Sequence, residues 1–254
     1  MSKGKRDKYI NYGFFSVILF FVVWETAAVS GLVDPLYIGT PHKIVAKFVQ
    51  MFQRPDFYNS LQNSAQAFII GYTSALVIGS IFGLLLGTKK KIYQILSPFV
   101  FTVNALPMVA ILPLIIIWFG VGTVAKSFVV FLMVVSPIII YTLDSTKTIS
   151  SELLTMARSF KTSEWFNLKN LYFPHSLPYI FSGARVGIGR GIIAIVVSEL
   201  YGFGVGIAYY LQYYGNTYQT DKLMANIVLI VSFNFVFIYL LRKIQKRFVF
   251  WDKK

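Results

Sequence analysis

The chain of 254 residues contains no cysteine and only two histidines, His42 and His175, which lie far apart in the sequence. Without cysteine, disulfide bonds and thiolate metal sites are excluded. The sequence also has no HExxH motif, no serine in a nucleophile elbow and no GxxxxGK[ST] phosphate-binding loop. We therefore expect no catalytic residue, no metal site and no cofactor on this chain, and no ATP hydrolysis by it.

Charged residues are scarce as well, at 13% of the chain, whereas hydrophobic residues make up 56%. Soluble domains have about 25% charged and about 45–50% apolar residues. The apolar residues form long runs, and a run of about 18 or more with few charges predicts a transmembrane helix. These runs predict an all-α membrane protein with a single domain over residues 1–254. The six predicted spans cover residues 12–29, 64–87, 98–119, 124–142, 180–201 and 223–241.

The net charge of +14 is explained by the side of the membrane on which the basic residues lie, and it does not indicate nucleic-acid binding. With a cytoplasmic N-terminus, 17 of the 24 lysines and arginines lie in cytoplasmic segments, and five, including Lys126, lie in outside segments. The cytoplasmic segments are then 1–11, 88–97, 143–179 and 242–254. The positive-inside rule therefore predicts a multi-pass protein of the cytoplasmic (inner) membrane with both termini in the cytoplasm.

The second predicted span has a small residue at nearly every fourth position: Gly71, Ala75, Gly79, Gly83 and Gly87. Small residues at this spacing form a groove into which another transmembrane helix packs closely. We expect this face to be a helix-packing surface.

The third predicted span contains two prolines, Pro107 and Pro113. A proline removes a backbone hydrogen bond and can bend a helix, and irregular helices at membrane depth occur where they are buried in protein or line a cavity. A kinked structural helix and a pathway-lining helix are equally compatible with this segment. Asn104 and Pro107 are its candidate pathway residues.

The fifth predicted span contains two further pathway candidates, Arg190 and Glu199. A charge at the bilayer centre costs at least about 2.5–3.5 kcal/mol. Nine residues of helix correspond to about two and a half turns, which places the two side chains on opposite faces. On a straight helix only one can face a central pathway, and the other should face a neighbouring helix or subunit. Glu199 lies toward the outer half, where a solute would enter.

A polar segment, residues 143–179, separates the predicted fourth and fifth spans. Ser151 is the predicted cap of a first short helix, with Glu152 in its first turn. Apolar residues at helical spacing give this helix one apolar face: Leu153, Met156, Ala157 and Phe160.

A second short helix is expected to start at Thr162 or Ser163 and to end at Pro174 and Pro178 before the next span. A cytoplasmic amphipathic helix of this kind offers an apolar ridge to a partner outside the membrane. Packing on the membrane surface is the alternative.

The chain resembles the membrane-spanning permease subunits of binding-protein-dependent ABC importers, in particular the nitrate, sulfonate and taurine type, from about Tyr9 to Trp251. The resemblance lies in NALPMVAILPLIIIWFGVGTVAK, in ELLTMARSFKTSEWFNLKNLYFPHSLPYIFSGARVGIGRGIIAIVVSELYG, in GVGIAYYL and in RFVFWD. In that family the polar segment is the loop whose first helix docks into a groove of a cytoplasmic ATPase. The resemblance implies a coupling role for seven residues: Glu152, Leu153, Met156, Ala157, Arg158, Phe160 and Lys161.

This sequence departs from the family pattern within the coupling helix. The family usually has Glu-Ala-Ala where this chain has Thr155, Met156 and Ala157, and it has a glycine where this chain has Lys161. Glycine suits a left-handed turn, in which a residue such as lysine costs about 1–2 kcal/mol.

The resemblance implies a permease subunit, not an enzyme, that imports a small solute such as a sulfonate or nitrate. It further implies a homodimer, two cytoplasmic ATPase subunits that bind ATP, and an extracytoplasmic solute-binding protein. The alternative is a self-sufficient secondary transporter or channel, which would need an ion-coupling site or inverted repeat. A membrane-embedded enzyme ranks third because the sequence has no catalytic cluster.

Overall fold

The computed structural model describes residues 3–34, 36–202 and 206–250, and within these ranges all regular secondary structure is helical. This confirms the predicted all-α fold. The helices are α1 (Lys3–Val29), α2 (Pro41–Met51), α3 (Pro55–Thr88), α4 (Lys90–Ala105), α5 (Met108–Phe119), α6 (Thr123–Lys147), α7 (Ser151–Ser159), α8 (Glu164–Asn167), a π-helical turn (Leu168–Tyr172), α9 (Phe173–Leu200), α10 (Tyr209–Asn216) and α11 (Thr220–Phe248). Residues 204–205 of GVGIAYYL, residues 251–252 of RFVFWD and the outermost residues of both predicted cytoplasmic termini lie outside the described ranges.

Four helical segments in the described ranges are long and apolar enough to cross a membrane: α3, α6, α8 to α9 taken together, and α11. They contain the predicted second, fourth, fifth and sixth spans. The pair α4 and α5 makes a fifth if it is one broken span. The predicted first span lies in α1, whose described apolar part, Phe15–Val29, is shorter than these segments.

The predicted third span, 98–119, is broken at Pro107, the first of its two prolines, and its helix starts earlier than predicted. The chain is already helical from Lys90, α4 ends at Ala105, and α5 continues from Met108 at an angle of 100°. The break arises because a residue before proline is driven out of the helical region, and Leu106 is indeed extended, with ψ of 130°. Pro107 then becomes the residue that caps α5.

Contacts within the chain divide it into two compact units. One comprises residues 1–59 and 210–230, and the other comprises residues 60–209 and 231–254. The single permease domain over residues 1–254 stays a prediction.

In the larger unit, the small-residue face of α3 packs against α6. A Cβ atom added to any of four glycines would collide with α6 atoms within 3 Å, and Ala75 is fully buried. The contacts pair Gly71 with Ser127 and Val130, Gly79 with Ile138, Gly83 with Thr142, and Gly87 with Thr146. The predicted close-packing groove is therefore confirmed.

Helix α9 packs on α6 through a second series of glycines that sequence reasoning did not single out. Gly183 lies against the backbone of α6 at Ile138, and Gly187 and Gly191 lie against Val134. This close approach fixes α9 beside α6 and thereby positions Arg190 and Glu199 of α9.

The second short helix does not end at Pro174 and Pro178, which corrects the sequence prediction. Pro174 lies in the first turn of α9 and Pro178 lies inside that helix. The π-helical turn immediately before α9 accounts for the difference, because such turns insert a residue into a helix while the helix continues. The segment from Glu164 to Leu200 is therefore a continuous helical stretch of 37 residues.

Candidate coupling surface and intramembrane polar sites

Helix α7 is capped by side-chain and backbone groups at its start. Ser150, not the predicted Ser151, is the N-cap, and its Oγ accepts a hydrogen bond from the Leu153 N–H at 3.4 Å. Glu152 lies in the first turn, where a negative charge favours the helix dipole. Hydrogen bonds from its own backbone N–H and from the Ser150 and Ser151 hydroxyls lower the pKa of Glu152.

Helix α7 ends in a left-handed residue, Lys161, whose φ is 46°. The Lys161 N–H donates to the Arg158 carbonyl at 3.0 Å, and the Thr162 N–H donates to the Ala157 carbonyl at 3.2 Å. These two bonds define the Schellman motif, which usually has glycine at the left-handed position. The backbone turn that a glycine would favour is thus present here with a lysine.

The apolar face of α7 is open to its surroundings. Leu153, Met156 and Phe160 are 47%, 54% and 76% exposed, and Ala157 is half-buried between them. We call these four residues the coupling surface. Clustered exposed apolar residues mark a protein or membrane contact, so the surface is free to bind a partner, although its assignment to an ATPase stays a prediction.

The coupling surface is held between two anchored helices. Ser163 caps α8 by accepting from the Phe166 N–H at 3.2 Å, as predicted, and Glu164 forms a 2.6 Å salt bridge with Lys89. Two further bonds tie the end of α6 to the start of α9: Ser145 to Ser176 at 2.5 Å and Thr148 to His175 at 3.0 Å. The ends of the polar segment are therefore fixed while the α7 face stays uncovered.

Three of the four predicted pathway residues lie at or near the break between α4 and α5. Arg190 Nη1 of α9 donates a hydrogen bond to Asn104 Oδ1 of α4 at 2.7 Å, and the bond is only partly buried. Pro107, three residues after Asn104, is exposed. A guanidinium has five N–H donors, so this arrangement presents a cation with a neutral partner at the break.

Glu199 lies in a different environment, buried within the larger unit, and its predicted position along a solute pathway stays a prediction. Its side chain is fully buried and forms a 3.0 Å salt bridge with Lys126 of α6, which is 2% exposed. The carboxylate also accepts from the Ser64 hydroxyl at 2.6 Å and from the Ala208 N–H at 2.8 Å. The carboxylate therefore links three helices to the segment that follows α9.

Lys126 is the residue that sequence reasoning missed, because it was counted with the outside segments. A signal was present, since Lys126 lies inside the predicted fourth span, 124–142, and a lysine within a span needs a partner. The pairing of Lys126 with Glu199 depends on the contact between α6 and α9. Sequence position alone does not indicate that these two helices lie side by side. A Cβ added at Gly206 would also overlap the Glu199 carboxylate.

Known proteins resemble this chain in both sequence and fold. The sequence is 28% identical over 251 residues to the taurine transport system permease protein TauC of Escherichia coli, covering 97% of this chain and 90% of the relative. It is 25% identical to the putative aliphatic sulfonates transport permease protein SsuC of Bacillus subtilis, covering 90% of this chain and 83% of the relative. It is 32% identical to the nitrate import permease protein NrtB of a Synechocystis strain, covering 56% and 52%.

The fold matches a chain of the MetNI methionine ABC transporter in an inward-facing conformation. The TM-score is 0.63 at 18% identity, over 78% of this chain and 96% of that chain.

The profile of the family described as "binding-protein-dependent transport system inner membrane component" matches residues 75–250. This region contains α7, the break between α4 and α5, and both Arg190 and Glu199 of α9. The relatives that match over nearly the whole chain are transport permeases, not enzymes. The chain belongs to the family of binding-protein-dependent transport system inner membrane components.

Proposed function

We propose that this chain is the permease subunit of an ABC importer that carries a small anion, of the sulfonate or nitrate class, into the cytoplasm. It forms the solute pathway with a second copy of itself. Two cytoplasmic ATPase subunits bind ATP, and an extracytoplasmic binding protein delivers the solute. Both termini lie in the cytoplasm. The family description and the names of the taurine, sulfonate and nitrate relatives support this proposal.

The observation that carries the proposal is the exposed coupling surface. Leu153, Met156 and Phe160 project from a segment whose flanking helices are bonded to neighbouring helices. Burying one large apolar side chain stabilises a complex by about 1.5–3 kcal/mol, and a few such anchors supply most of an interface energy. In the proposed complex, the three side chains enter the ATPase groove.

An anionic solute is supported by the cation beside the helix break. Arg190 is held by the neutral amide of Asn104 and is partly exposed. Guanidinium groups bind the oxygens of carboxylates and phosphates with paired hydrogen bonds, and sulfonate and nitrate offer similar oxygens. Arg190 is therefore the proposed solute-contacting residue, with Asn104 as the group that orients it.

The test of coupling compares Met156→Asp with Thr155→Asp. Met156 is on the coupling surface, whereas Thr155 is exposed but lies one residue away, on the opposite side of α7 from Leu153 and Phe160. An unpaired charge in an apolar interface is costly. Met156→Asp should reduce binding of the ATPase about tenfold or more, since 1.4 kcal/mol corresponds to a factor of ten.

The readout is ATPase co-purification with the detergent-solubilised permease, followed by substrate-stimulated ATP hydrolysis. Thr155→Asp should change both by less than about twofold, because an exposed charge away from the contact has little effect. Equal ATPase binding by the two variants would remove the coupling role of this surface. Uptake by the reconstituted system of neutral or cationic solutes only would contradict the proposed anion.

A further inference from the structure

The smaller unit, residues 1–59 and 210–230, contains a cavity of about 580 Å³ between α2, the turn that follows it, α10 and the start of α11. Ligand-binding cavities typically have volumes of about 300–1,000 Å³. The wall includes three cations, Lys47, Arg54 and Lys222, together with three glutamines and two tyrosines. In the part of the chain that the structure describes, the lining contains no aspartate or glutamate. The cavity is therefore lined by positive charge and neutral polar groups.

The two lysines of the cavity form hydrogen bonds with uncharged amides. Lys47 Nζ donates to Gln50 Oε1 at 3.1 Å, and Lys222 Nζ donates to Gln219 Oε1 at 2.5 Å. In contrast, Lys89 and Lys126 in the larger unit each bond to a carboxylate. An amide oxygen orients an ammonium group without cancelling its charge, so both lysines keep their positive charge at the wall.

Arg54 is positioned by tyrosines. Its Nη1 donates to Tyr214 Oη at 2.9 Å, and its guanidinium lies 5.7 Å from the centre of the Tyr210 ring. Burial raises the pKa of the Tyr214 phenol, against the opposing effect of Arg54. The phenol therefore stays neutral at physiological pH, because its ordinary pKa is already about 10. Tyr214 holds the guanidinium in place without cancelling its charge.

The nearest carboxylates are engaged or exposed. Asp221 adjoins Lys222 in sequence, but its Oδ1 accepts from the Thr40 N–H at 2.9 Å, outside the lining. Asp56 Oδ2 lies 3.9 Å from Arg54 Nη2, and the Asp56 side chain is 73% exposed. An exposed pair at this distance contributes little. The wall thus keeps a net positive charge, and a partly enclosed cavity of one charge sign concentrates ions of the other sign.

We infer that this cavity is a binding site for a small oxyanion, in which Lys47, Arg54 and Lys222 contact the anionic oxygens. The predicted topology places it on the outer side of the membrane. Resting on the proposed function, its ligand class is the transported sulfonate or nitrate, received here before it enters the pathway. Met51 and the Tyr213 ring also line the cavity and offer apolar contact to a short alkyl group. A sulfonate with a small organic substituent fits this combination.

The test measures binding of ethanesulfonate and nitrate to the purified full-length chain in phosphatidylcholine nanodiscs by isothermal titration calorimetry. The variant Lys47→Gln/Lys222→Gln removes two charges but keeps Arg54, because Arg54 also holds Tyr214. The control, Lys43→Gln, removes one positive charge from an exposed position of α2 outside the cavity lining. Ethyl methyl sulfone serves as a ligand of similar size without charge.

We expect the double variant to raise the Kd for ethanesulfonate about tenfold or more, since a hydrogen bond to a charged group contributes about 1.5–3 kcal/mol. Lys43→Gln should change the Kd less than about threefold, in line with screened surface charge. The neutral sulfone should not compete. If Lys43→Gln raises the Kd as much as the double variant does, or if the sulfone also binds, the inference is overturned. Either result would show a diffuse or nonspecific effect.

Two further measurements distinguish a small oxyanion from other ligands. They also distinguish failure of this inference from failure of the proposed function. An unchanged Kd in the double variant, with weaker binding of phosphatidylglycerol or of the solute-binding protein, would overturn the inference in favour of a headgroup or protein contact. If the reconstituted transporter imports ethanesulfonate, and the double variant binds and transports it as wild type does, the proposed function stands. The binding site in this cavity is then excluded. Charge-dependent binding by a transporter that imports no anion would support the site and remove the proposed solute.

Discussion

Helix α9 carries Arg190 and Glu199, and the surroundings of these two residues differ in the way charge is compensated. Glu199 is fully buried against a cation, Lys126, and has two further hydrogen-bond donors. Arg190 is partly exposed, and its hydrogen-bond partner, Asn104, is neutral. One charge is balanced within the protein, and the other keeps its net charge beside the break between α4 and α5.

The difference indicates different roles for two residues that the sequence had grouped together. A buried pair is destabilising to break, because removing one partner leaves an uncompensated charge in a low-dielectric interior. A partly exposed cation with a neutral partner costs little to rearrange and can exchange that partner for a solute oxygen. Glu199 is therefore expected to affect stability first, and Arg190 is expected to affect transport first.

The largest expected effect comes from breaking the buried pair with Lys126→Met. This change leaves the Glu199 carboxylate buried without its cation and should lower the free energy of unfolding by about 3–5 kcal/mol. Denaturant unfolding of the purified chain in detergent measures it. In the double variant Lys126→Met/Glu199→Gln no charge remains buried, and most of the loss should be recovered.

Lys169→Met is the matched control for that experiment, because Lys169 is exposed. It should change the unfolding free energy by less than about 0.5 kcal/mol, as is usual for surface substitutions. If Lys126→Met and Lys169→Met unfold alike, the Glu199 and Arg190 sites do not differ in the way described.

The second prediction concerns Arg190→Gln, which should have little effect on stability and a large effect on uptake. The neutral amide can still bond to Asn104, so the unfolding free energy should change by less than about 1 kcal/mol. Loss of the cation should lower anion uptake about tenfold, equivalent to roughly 1.4 kcal/mol of charged hydrogen bonding. Uptake by reconstituted vesicles measures it.

Arg190→Lys provides the companion variant, because it retains the charge but not the planar, forked geometry. Its uptake should lie between those of wild type and Arg190→Gln. A loss of stability in Arg190→Gln as large as that in Lys126→Met would show that Arg190 is also a structural residue.

The smallest effect is expected at Lys161, where the effects of backbone conformation and charge can be measured separately. Lys161 is another cation without a carboxylate partner among the described salt bridges. Its left-handed φ of 46° disfavours any residue with a Cβ, so Lys161→Gly should stabilise the chain by about 1 kcal/mol. Lys161→Ala removes the same charge but keeps the Cβ, and should not stabilise. Unfolding measurements and ATPase co-purification on both variants distinguish backbone strain from a charge contact with the ATPase. Weaker ATPase binding by both variants would assign the Lys161 charge to the interface.

Local features of the sequence predicted local structure well. The apolar runs indicated the helices, the small residues of α3 indicated the packing groove, and the resemblance at Lys161 pointed to the left-handed turn. Each depends on neighbours within a few residues or on one helix face. The N-cap prediction missed by one residue because Ser150 and Ser151 can both supply the hydroxyl.

Features that depend on contacts distant in sequence were not predicted. Nothing near Glu199 in the chain indicates that Lys126, 73 positions earlier, is its partner. Pro174 and Pro178 were read as helix-ending residues because local rules cannot show that a π-helical turn precedes them. The bond between Asn104 and Arg190 likewise joins residues 86 positions apart in the chain.

The continuous helix from Glu164 to Leu200 joins the end of the polar segment to the buried Glu199. At 1.5 Å per residue, its 37 residues span about 55 Å. A tilt of about 5° at the base, where Glu164 bonds to Lys89, would displace the far end by roughly 5 Å by the same geometry. A small push on α8 that is transmitted through the π-helical turn would thus become a movement about as large as a helical turn at the buried ion pair.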